Sequence, residues 1–481
     1  MNAPLQICFI HHGETAWSLS GQHTGRTDLP LTPRGESMAL GLASALQGIA
    51  FSLVMTSPRL RARSTCRLAG LGAAAQVEPN LATRLQALTG KVALLERCGE
   101  RLPSTSTGAV TVTARRRFVI GAAACATALP SLTACSTSAS EQDAARALRR
   151  ITPSVTTSPG SGGAAIKQTL VRYATLAPSS HNTQCWRFYI APTSIAIAPD
   201  PARRCPAVDP DDHHVFVSLG CATENLVHAA LAMGFHADAR FDPSADGRIA
   251  VSLEATQPSA SPLFHAITER QCTRGDYDGH ALTPAELKLL EAAGTGQGVS
   301  VRLLTARPAI ESVLDFVVAG NTAQMSDPAF SAELKAWIRF GADEALRTGD
   351  GLFTGASGNP ALPRWLGSRM MDLFFTPKSE NERYARQIRN SAGLAVFVSE
   401  RSDPAHWIEA GRCYERFALQ ATALGIRNAM LNQPVEVAAI RPQFAAWLGL
   451  APHERPDLVV RFGRGPGMPL SMRRPVQAVL A

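Results

Sequence analysis

The stretch RRRFVIGAAACATALPSLTAC, residues 115–135, limits what this chain can fold into more than any other. Three arginines lead into a short apolar run that closes on Leu132-Thr133-Ala134-Cys135. A basic head, an apolar middle and a processing site are the layout of a bacterial export signal, which serves at the start of a chain. Here it lies more than a hundred residues in. Residues 118–140 carry no charge and are rich in Ala, Ser and Thr, so the strongly apolar portion is short beside the ~20 residues of a membrane span. TPSVTTSPGSGG, at 152–163, has the composition of a flexible linker. The chain therefore divides into residues 1–82, a junction at 83–113, the signal-like segment at 114–136, a linker at 137–163 and a long regular αβ mixture over 164–481. A one-pass anchor and a buried helix stay open as readings of 114–136.

The 481 residues suffice for two or three domains, and 45% hydrophobic residues with a mean hydropathy near zero allow large cores. The net charge of +8 is not spread evenly. Residues 1–135 hold 13 Lys+Arg and 6 Asp+Glu; the remaining 34 basic and 33 acidic residues nearly cancel. A surface that tracks nucleic-acid phosphates has no support in the long C-terminal part. Ten cysteines show no CxxC pair and no zinc spacing, and the five beyond Cys135 are expected to be small buried apolar residues.

Residues 7–36, ICFIHHGETAWSLSGQHTGRTDLPLTPRGE, run from an apolar strand into a His-Gly-Glu-Thr loop. With TSPRLRARST further on, this resembles the histidine phosphatase (phosphoglycerate mutase-like) superfamily over about residues 5–82. The resemblance implies an α/β fragment in which His12 is the phosphate-accepting nucleophile and Arg61 a phosphate clamp. The motif arginine is His11 here, Thr83 stands where the family's acid falls, and no histidine occurs between His23 and His181. The piece is expected to be a truncated remnant without phosphatase activity.

Arg115-Arg116-Arg117-Phe118 is similar to a twin-arginine pattern, and the closing Cys135 to the lipidated cysteine of a lipobox. Together these imply a broken phosphatase frame joined to an exported protein. If the label is used, the product is periplasmic or membrane-attached through Cys135; if the fused chain persists, it is cytoplasmic or anchored.

In IKQTLVRYATLAPSSHNTQCWRF (166–188), Ile166, Leu170, Tyr173, Ala174 and Ala177 fall at helical spacing, and Pro178 ends the helix. Ser179, Ser180, His181, Asn182, Thr183 and Gln184 follow, and Trp186 opens a strand. Amides both donate and accept, so Asn182 and Gln184 suit the edge of a planar polar ligand; a polar helix-ending turn is the plainer alternative. The loop resembles the flavin loop of the nitroreductase family, with Cys185 in place of a proline. The segments at 217–237, Arg270 and Arg274 in ERQCTRGDY, 406–434 and 458–475 match that family in order, over about residues 164–478.

The resemblance implies an α+β fold with a central sheet flanked by helices, in the branch where one chain carries two halves and behaves as a pseudo-dimeric monomer. It implies non-covalent FMN, with Ser179, Ser180, Asn182 and Gln184 at the ring and ribityl chain. Arg473 or Arg474, helped by Arg270 or Arg274, would bind the phosphate. The implied activity is ping-pong transfer from NAD(P)H to a nitroaromatic- or quinone-like acceptor; the alternative is a flavin-sequestering protein without turnover. Residues 347–376, Gly-rich and then apolar through Trp365, Met370, Met371, Phe374 and Phe375, are either a lid over the flavin or core. His181 is expected to be a hydrogen-bonding residue, Asp211 to His214 the polar start of a helix, and no metal site is expected.

Overall fold

The computed structural model describes residues 5–16, 28–49, 51–77, 91–97, 134–151, 162–244, 247–359 and 361–481. The chain forms two compact units, Met1–Leu132 and Thr133–Ala481. In the first, β1 (Leu5–His11), α1 (Pro33–Leu46), β2 (Phe51–Thr56), α2 (Leu60–Leu68), β3 (Ala75–Val77) and β4 (Lys91–Arg97) follow one another. The sheet runs β1-β4-β2-β3, with β4 antiparallel to both neighbours and β2 parallel to β3. The junction at 83–113 thus supplies a strand. Thr32 caps α1 by accepting from the amide of Gly35, and Pro33 stands at the first helical position, where its missing N–H costs nothing. Ile10, Val54 and Cys66 form a small core.

The second unit opens with α3 (Ala134–Arg149), so the first half of the expected linker is helix. Ala144, Ala145 and Leu148 make an apolar face, and Ala145 packs with Ala345, Phe353 and Met472. The signal-like residues 115–133 lie outside the described residues; Cys135 falls in the first turn of α3.

Behind α3 the architecture is a repeat in space. The first half is α4 (Gly162–Ala174), β5 (Trp186–Ile190), β6 (Ser194–Pro199), α5 (His213–Ala232), β7 (Phe235–Asp242) and β8 (Arg248–Ala255). The second is α6 (Pro284–Ala293), β9 (Val299–Leu304), β10 (Gly393–Ser399), α12 (Pro404–Ala423), β11 (Arg427–Met430) and β12 (Arg455–Gly463). Between β9 and β10 lies an insertion with α7 (Arg307–Ser326), α8 (Pro328–Trp337), α9 (Ala342–Thr348), α10 (Arg364–Phe374) and α11 (Pro377–Arg389). Each half makes an antiparallel four-stranded sheet in which the second and fourth strands are central: β5-β6-β8-β7 and β9-β10-β12-β11. Each places its 20-residue helix between the second and third strands.

The two long helices pack together along their length, and their crossing has the same form from both sides. A Cβ on Gly220 would lie 2.0 Å from the carbonyl oxygen of Ile408, and one on Gly411 would lie 2.0 Å from that of Val217. In each case the carbonyl belongs to the residue three before the partner glycine, so the contact has local two-fold form. α5 is long and apolar enough to cross a membrane by composition, yet most of it is buried inside this unit. Trp186, Phe188, Leu226, Phe397, Tyr414, Phe417 and Phe462 belong to one continuous core around the pair.

Candidate functional site

The loop after α4 holds three non-glycine residues in the left-handed region: His181 (φ 49°), Asn182 (φ 53°) and Gln184 (φ 55°). Such conformations persist where surrounding bonds impose them, and they cluster at functional sites. The bonds are explicit here. Ser179 Oγ accepts from the amide of Gln184 at 2.9 Å, beside the half-buried Ser180. Asn182 Nδ2 donates to the carbonyls of Gly351 (3.0 Å) and Met472 (3.2 Å), and its Oδ1 accepts from Arg473 Nη1 at 3.1 Å. Gln184 Nε2 donates to the carbonyl of Gly349 at 2.8 Å, and its Oε1 accepts from the amide of Arg474 at 2.8 Å. The amides expected to read a ligand's edge therefore face the protein. The start of the 347–376 segment lies directly on them. Farther along, Leu366 and Gly367 of α10 are buried, whereas Trp365 is 51% and Leu373 55% exposed, so this helix is not core.

Arg473 spends all its donors. Nε and Nη2 reach the carbonyls of Thr175, Leu176 and Ala177, which the end of α4 leaves without helical partners, and Nη1 reaches Met472 and Asn182. Arg270 also donates to Leu176, at 2.8 Å, which brings two buried guanidiniums to one carbonyl. Its Nε lies 3.0 Å from Glu415 of α12. Burial works most strongly against the Arg270 charge, and Glu415, together with Tyr414, Cys221 and Cys272, holds the pKa above its usual value. Arg274 stands apart from this pair: it is half-buried, its carbonyl accepts from Gln387, and its charge is felt at His181.

A third guanidinium comes from outside the expected domain. Arg149, the last residue of α3, is only 6% exposed. Among the described residues its Nε and Nη1 have no hydrogen-bond partner, and neither has Nη1 of Arg270 or Nη1 of Arg474. Burial first, then the nearby Arg270, lowers the Arg149 pKa to about 10. Arg270 and Arg473 thus share one buried carboxylate, Glu415, and among the described residues Arg149 has only the exposed Glu269 near it. An unpaired buried charge costs several kcal/mol, and buried N–H groups without acceptors add about 1–3 kcal/mol each. The set calls for an anion. Arg149 lines a cavity of about 560 Å³ together with Arg146, Arg150, Glu269, Gln271 and Arg427. A second cavity of about 510 Å³, on another side of α3, is lined by Leu148, Arg172, Arg347, Gly349 and Arg473. Both are of small-molecule size. Sequence reasoning missed Arg149 because it assigned 137–163 to a linker; the signal was the basic run RALRR at 146–150.

The start of α5 is a buried polar network. The amide of Val459 donates to Asn432 Oδ1, so Asn432 Nδ2 points at His214 Nε2, 3.0 Å away. His214 Nε2 is then an acceptor, and the proton sits on Nδ1, 2.7 Å from His213 Nδ1. His213 in turn carries its proton on Nε2 and donates to Asp457 at 2.8 Å. These partners fit one proton on each ring, and Asp209, which accepts from the amides of His214 and Val215, completes a buried cluster at the helix start.

In the first unit, His12 and Arg61 are both buried. His12 Nδ1 lies 2.7 Å from the carbonyl of Gly13, whose amide donates to Thr65 Oγ1 at 3.0 Å. Gly13 and Gly35 lie against each other's loops, where a Cβ on either would strike backbone. Thr83 and the side chain of His11 lie outside the described residues.

Unit 1 is a strand–loop–helix fragment around a buried histidine and arginine, and unit 2 a mixed α+β fold with a buried cationic centre. The known proteins agree with this division. Residues 7–87 match the model of the Histidine phosphatase superfamily (branch 1). Sedoheptulose 1,7-bisphosphatase of Saccharomyces cerevisiae is 47% identical over 66 residues, 12% of this chain and 24% of the yeast protein; the chain spans about a quarter of that relative. A Mycobacterium tuberculosis protein assigned as an NAD(P)H nitroreductase is 24% identical over 305 residues, 62% of this chain and 85% of the relative. Among solved structures, a nitroreductase with bound FMN from Desulfitobacterium hafniense aligns over 46% of this chain and 97% of its own, at 14% identity and a TM-score of 0.29. The NADPH:FMN oxidoreductase of Vibrio harveyi aligns over 46% and 76%, at 11% identity and a TM-score of 0.29. Both resemblances drawn from the sequence are met, each on its own unit.

Proposed function

We propose that the second unit is an FMN-dependent NAD(P)H oxidoreductase of the nitroreductase kind. The observation that carries this is Arg149 and Arg270, with donor atoms left over, beside the fully bonded Arg473. A phosphate monoester brings about two negative charges and three acceptor oxygens, which fits those donors. Arg149 and Arg270 would hold the phosphate, while Arg473 holds the loop and the end of α4 and the Arg474 guanidinium lies near Asp200 and Asp350. Bound FMN would supply the redox chemistry, carrying electrons from NAD(P)H to a nitroaromatic- or quinone-like acceptor. The chain's part is to bind it, to keep cationic charge beside it and to exclude water. The mycobacterial relative and the FMN-binding neighbours support the assignment.

A second reading has its own observation. The Gly349–Gly351 strap is bonded to the amides of both Asn182 and Gln184, which suits a closed flavin holder without turnover. In either reading the unit acts as a monomer with two related halves. Export through residues 114–136 and attachment through Cys135 belong to the same proposal, and His12 and Arg61 have no part in it.

The visible spectrum of the purified chain, before and after anaerobic NADPH or NADH, separates these. A flavin band that bleaches supports the oxidoreductase. A band that persists supports the closed holder. No band after adding FMN removes both.

A further inference from the structure

The loop that carries His181 meets two other segments at a point the flavin reading does not use. His181 Nδ1 lies 3.4 Å from Cys205 Sγ. A carboxylate oxygen of Glu333, on α8, joins them, and the three atoms lie within 4.8 Å of one another. We propose that His181, Cys205 and Glu333 form a binding site for a divalent transition-metal cation of the zinc type.

The geometry is that of a ligand set. Zinc binds sulfur at about 2.3 Å and imidazole nitrogen at about 2.0–2.1 Å, so two such ligands at a tetrahedral angle stand about 3.5 Å apart. The observed nitrogen–sulfur separation is 3.4 Å. Sulfur, nitrogen and oxygen donors together select zinc or cobalt over magnesium and calcium, which take oxygen alone. Three protein ligands leave a fourth position for water.

Each ligand is held from behind. The Glu333 oxygens accept from the backbone amides of Ala207 (2.9 Å) and Val208 (3.2 Å), which fixes the carboxylate while lone pairs remain. His181 is kept at φ 49° by the bonded loop. Cys205 sits in an apolar pocket with Val208, Phe330, Leu334 and Trp337. The charges around the point are mixed. Glu333, Asp209 and Glu436 face Cys205, and Arg274 and His214 face His181. The negative side lies at the thiol, where a cation displaces the proton: one S–H is broken, one metal–sulfur bond is formed and one proton is released to solvent. Occupied, the site would pin the loop of residues 179–184 to the insertion between β9 and β10.

The test uses the full chain, reduced and stripped with a chelator, titrated with Co²⁺ and then Zn²⁺. We expect the near-ultraviolet band of a cobalt–thiolate bond at one equivalent, its displacement by Zn²⁺, and a melting temperature raised by Zn²⁺. In Cys205→Ser the band and the melting shift disappear. Glu333→Gln keeps the thiol and, if the serine variant fails to fold, serves in its place; its cobalt affinity should fall at least about 10-fold, since loss of even an outer-shell partner costs about 10- to 100-fold. Absence of a thiolate band in the parent chain, or a band undiminished in both variants, overturns the proposal. The readout needs no flavin, so it stands or falls apart from the oxidoreductase assignment.

Discussion

Arg149 decides the electrostatics of the second unit. Its buried donors lack acceptors, and its neighbours Arg270 and Arg473 carry the same sign. If a phosphate satisfies them, Arg149→Gln should weaken FMN about 10- to 100-fold, the value of one or two charge-assisted hydrogen bonds, and leave riboflavin, which has no phosphate, unchanged. Equal losses for the two flavins in a fluorescence titration would refute that role. The phosphate loses its second charge near pH 6, whereas the guanidiniums stay charged, so FMN affinity should fall as pH drops from 7 to 5 and riboflavin affinity should not. Gln184 makes a different prediction. Replacing it by Ala leaves the carbonyl of Gly349 and the amide of Arg474 without their partners, at a cost of about 1–3 kcal/mol each where burial is kept, so urea unfolding should shift to lower concentration. At this scale the sequence was partly legible. Asn182 is bonded to Arg473, Gln184 to the backbone of Arg474, and Arg270 shares a carbonyl with Arg473, but the remaining partners were hidden. Which carbonyl an amide reaches depends on residues nearly 170 to 290 positions away.

Elements were read more easily than their arrangement. Helical spacing and Pro178 marked α4, the apolar run after Trp186 marked β5, and the segments at 217–237 and 406–434 fall largely on α5 and α12. Two elements escaped. β4 draws on a nondescript sequence, because its place between β1 and β2 is set by pairing rather than propensity. α3 was hidden by the Ser/Thr-rich run before it. The spatial repeat of the two halves left no repeat in the sequence that the eye could find, since a sheet order and a helix crossing constrain only a few positions. Gly220 and Gly411 are two of these. Ala at either would put a methyl group 2.0 Å from a backbone carbonyl, and the two helices cannot separate without opening the core. Each substitution should cost about 3 kcal/mol or more, read as a lowered urea midpoint with unchanged m-value. A cost below 1 kcal/mol would mean that the crossing is not so close. A chain begun at residue 152 lacks α3 and Arg149 together, and should lose at least as much FMN affinity as Arg149→Gln, about 10-fold or more.

For the whole second unit, the buried titratable groups set how stability follows pH. Burial lifts Glu415, on α12 beside Arg270, Asp457, on β12, and Asp209, just before α5, to about 7 from ordinary values of 4.5 for Glu and 3.8 for Asp. A carboxyl with a raised folded pKa favours the folded state once protonated, so its contribution is full below the unfolded pKa and is lost as pH rises through about 7. His213 and His214 behave oppositely. Burial holds both below 6.5, and their contribution is lost as pH falls under 6.5, where the unfolded chain takes up the protons. From pH 8 to 6.5 the carboxyls outweigh the onset of histidine protonation in the unfolded chain, and stability should rise by about 1–2 kcal/mol in total. Below 6.5 these three carboxyls and three histidines, His181 being the third, oppose one another and the curve should flatten. Chemical denaturation at half-unit steps gives this profile directly. Asp457→Asn keeps an acceptor for His213 Nε2 but no longer titrates, so the rise between pH 8 and 6.5 should fall by about a third. A rise of full size in that variant would show that Asp457 is ionised throughout, and that the proton chain through His213 and His214 ends on a permanent charge.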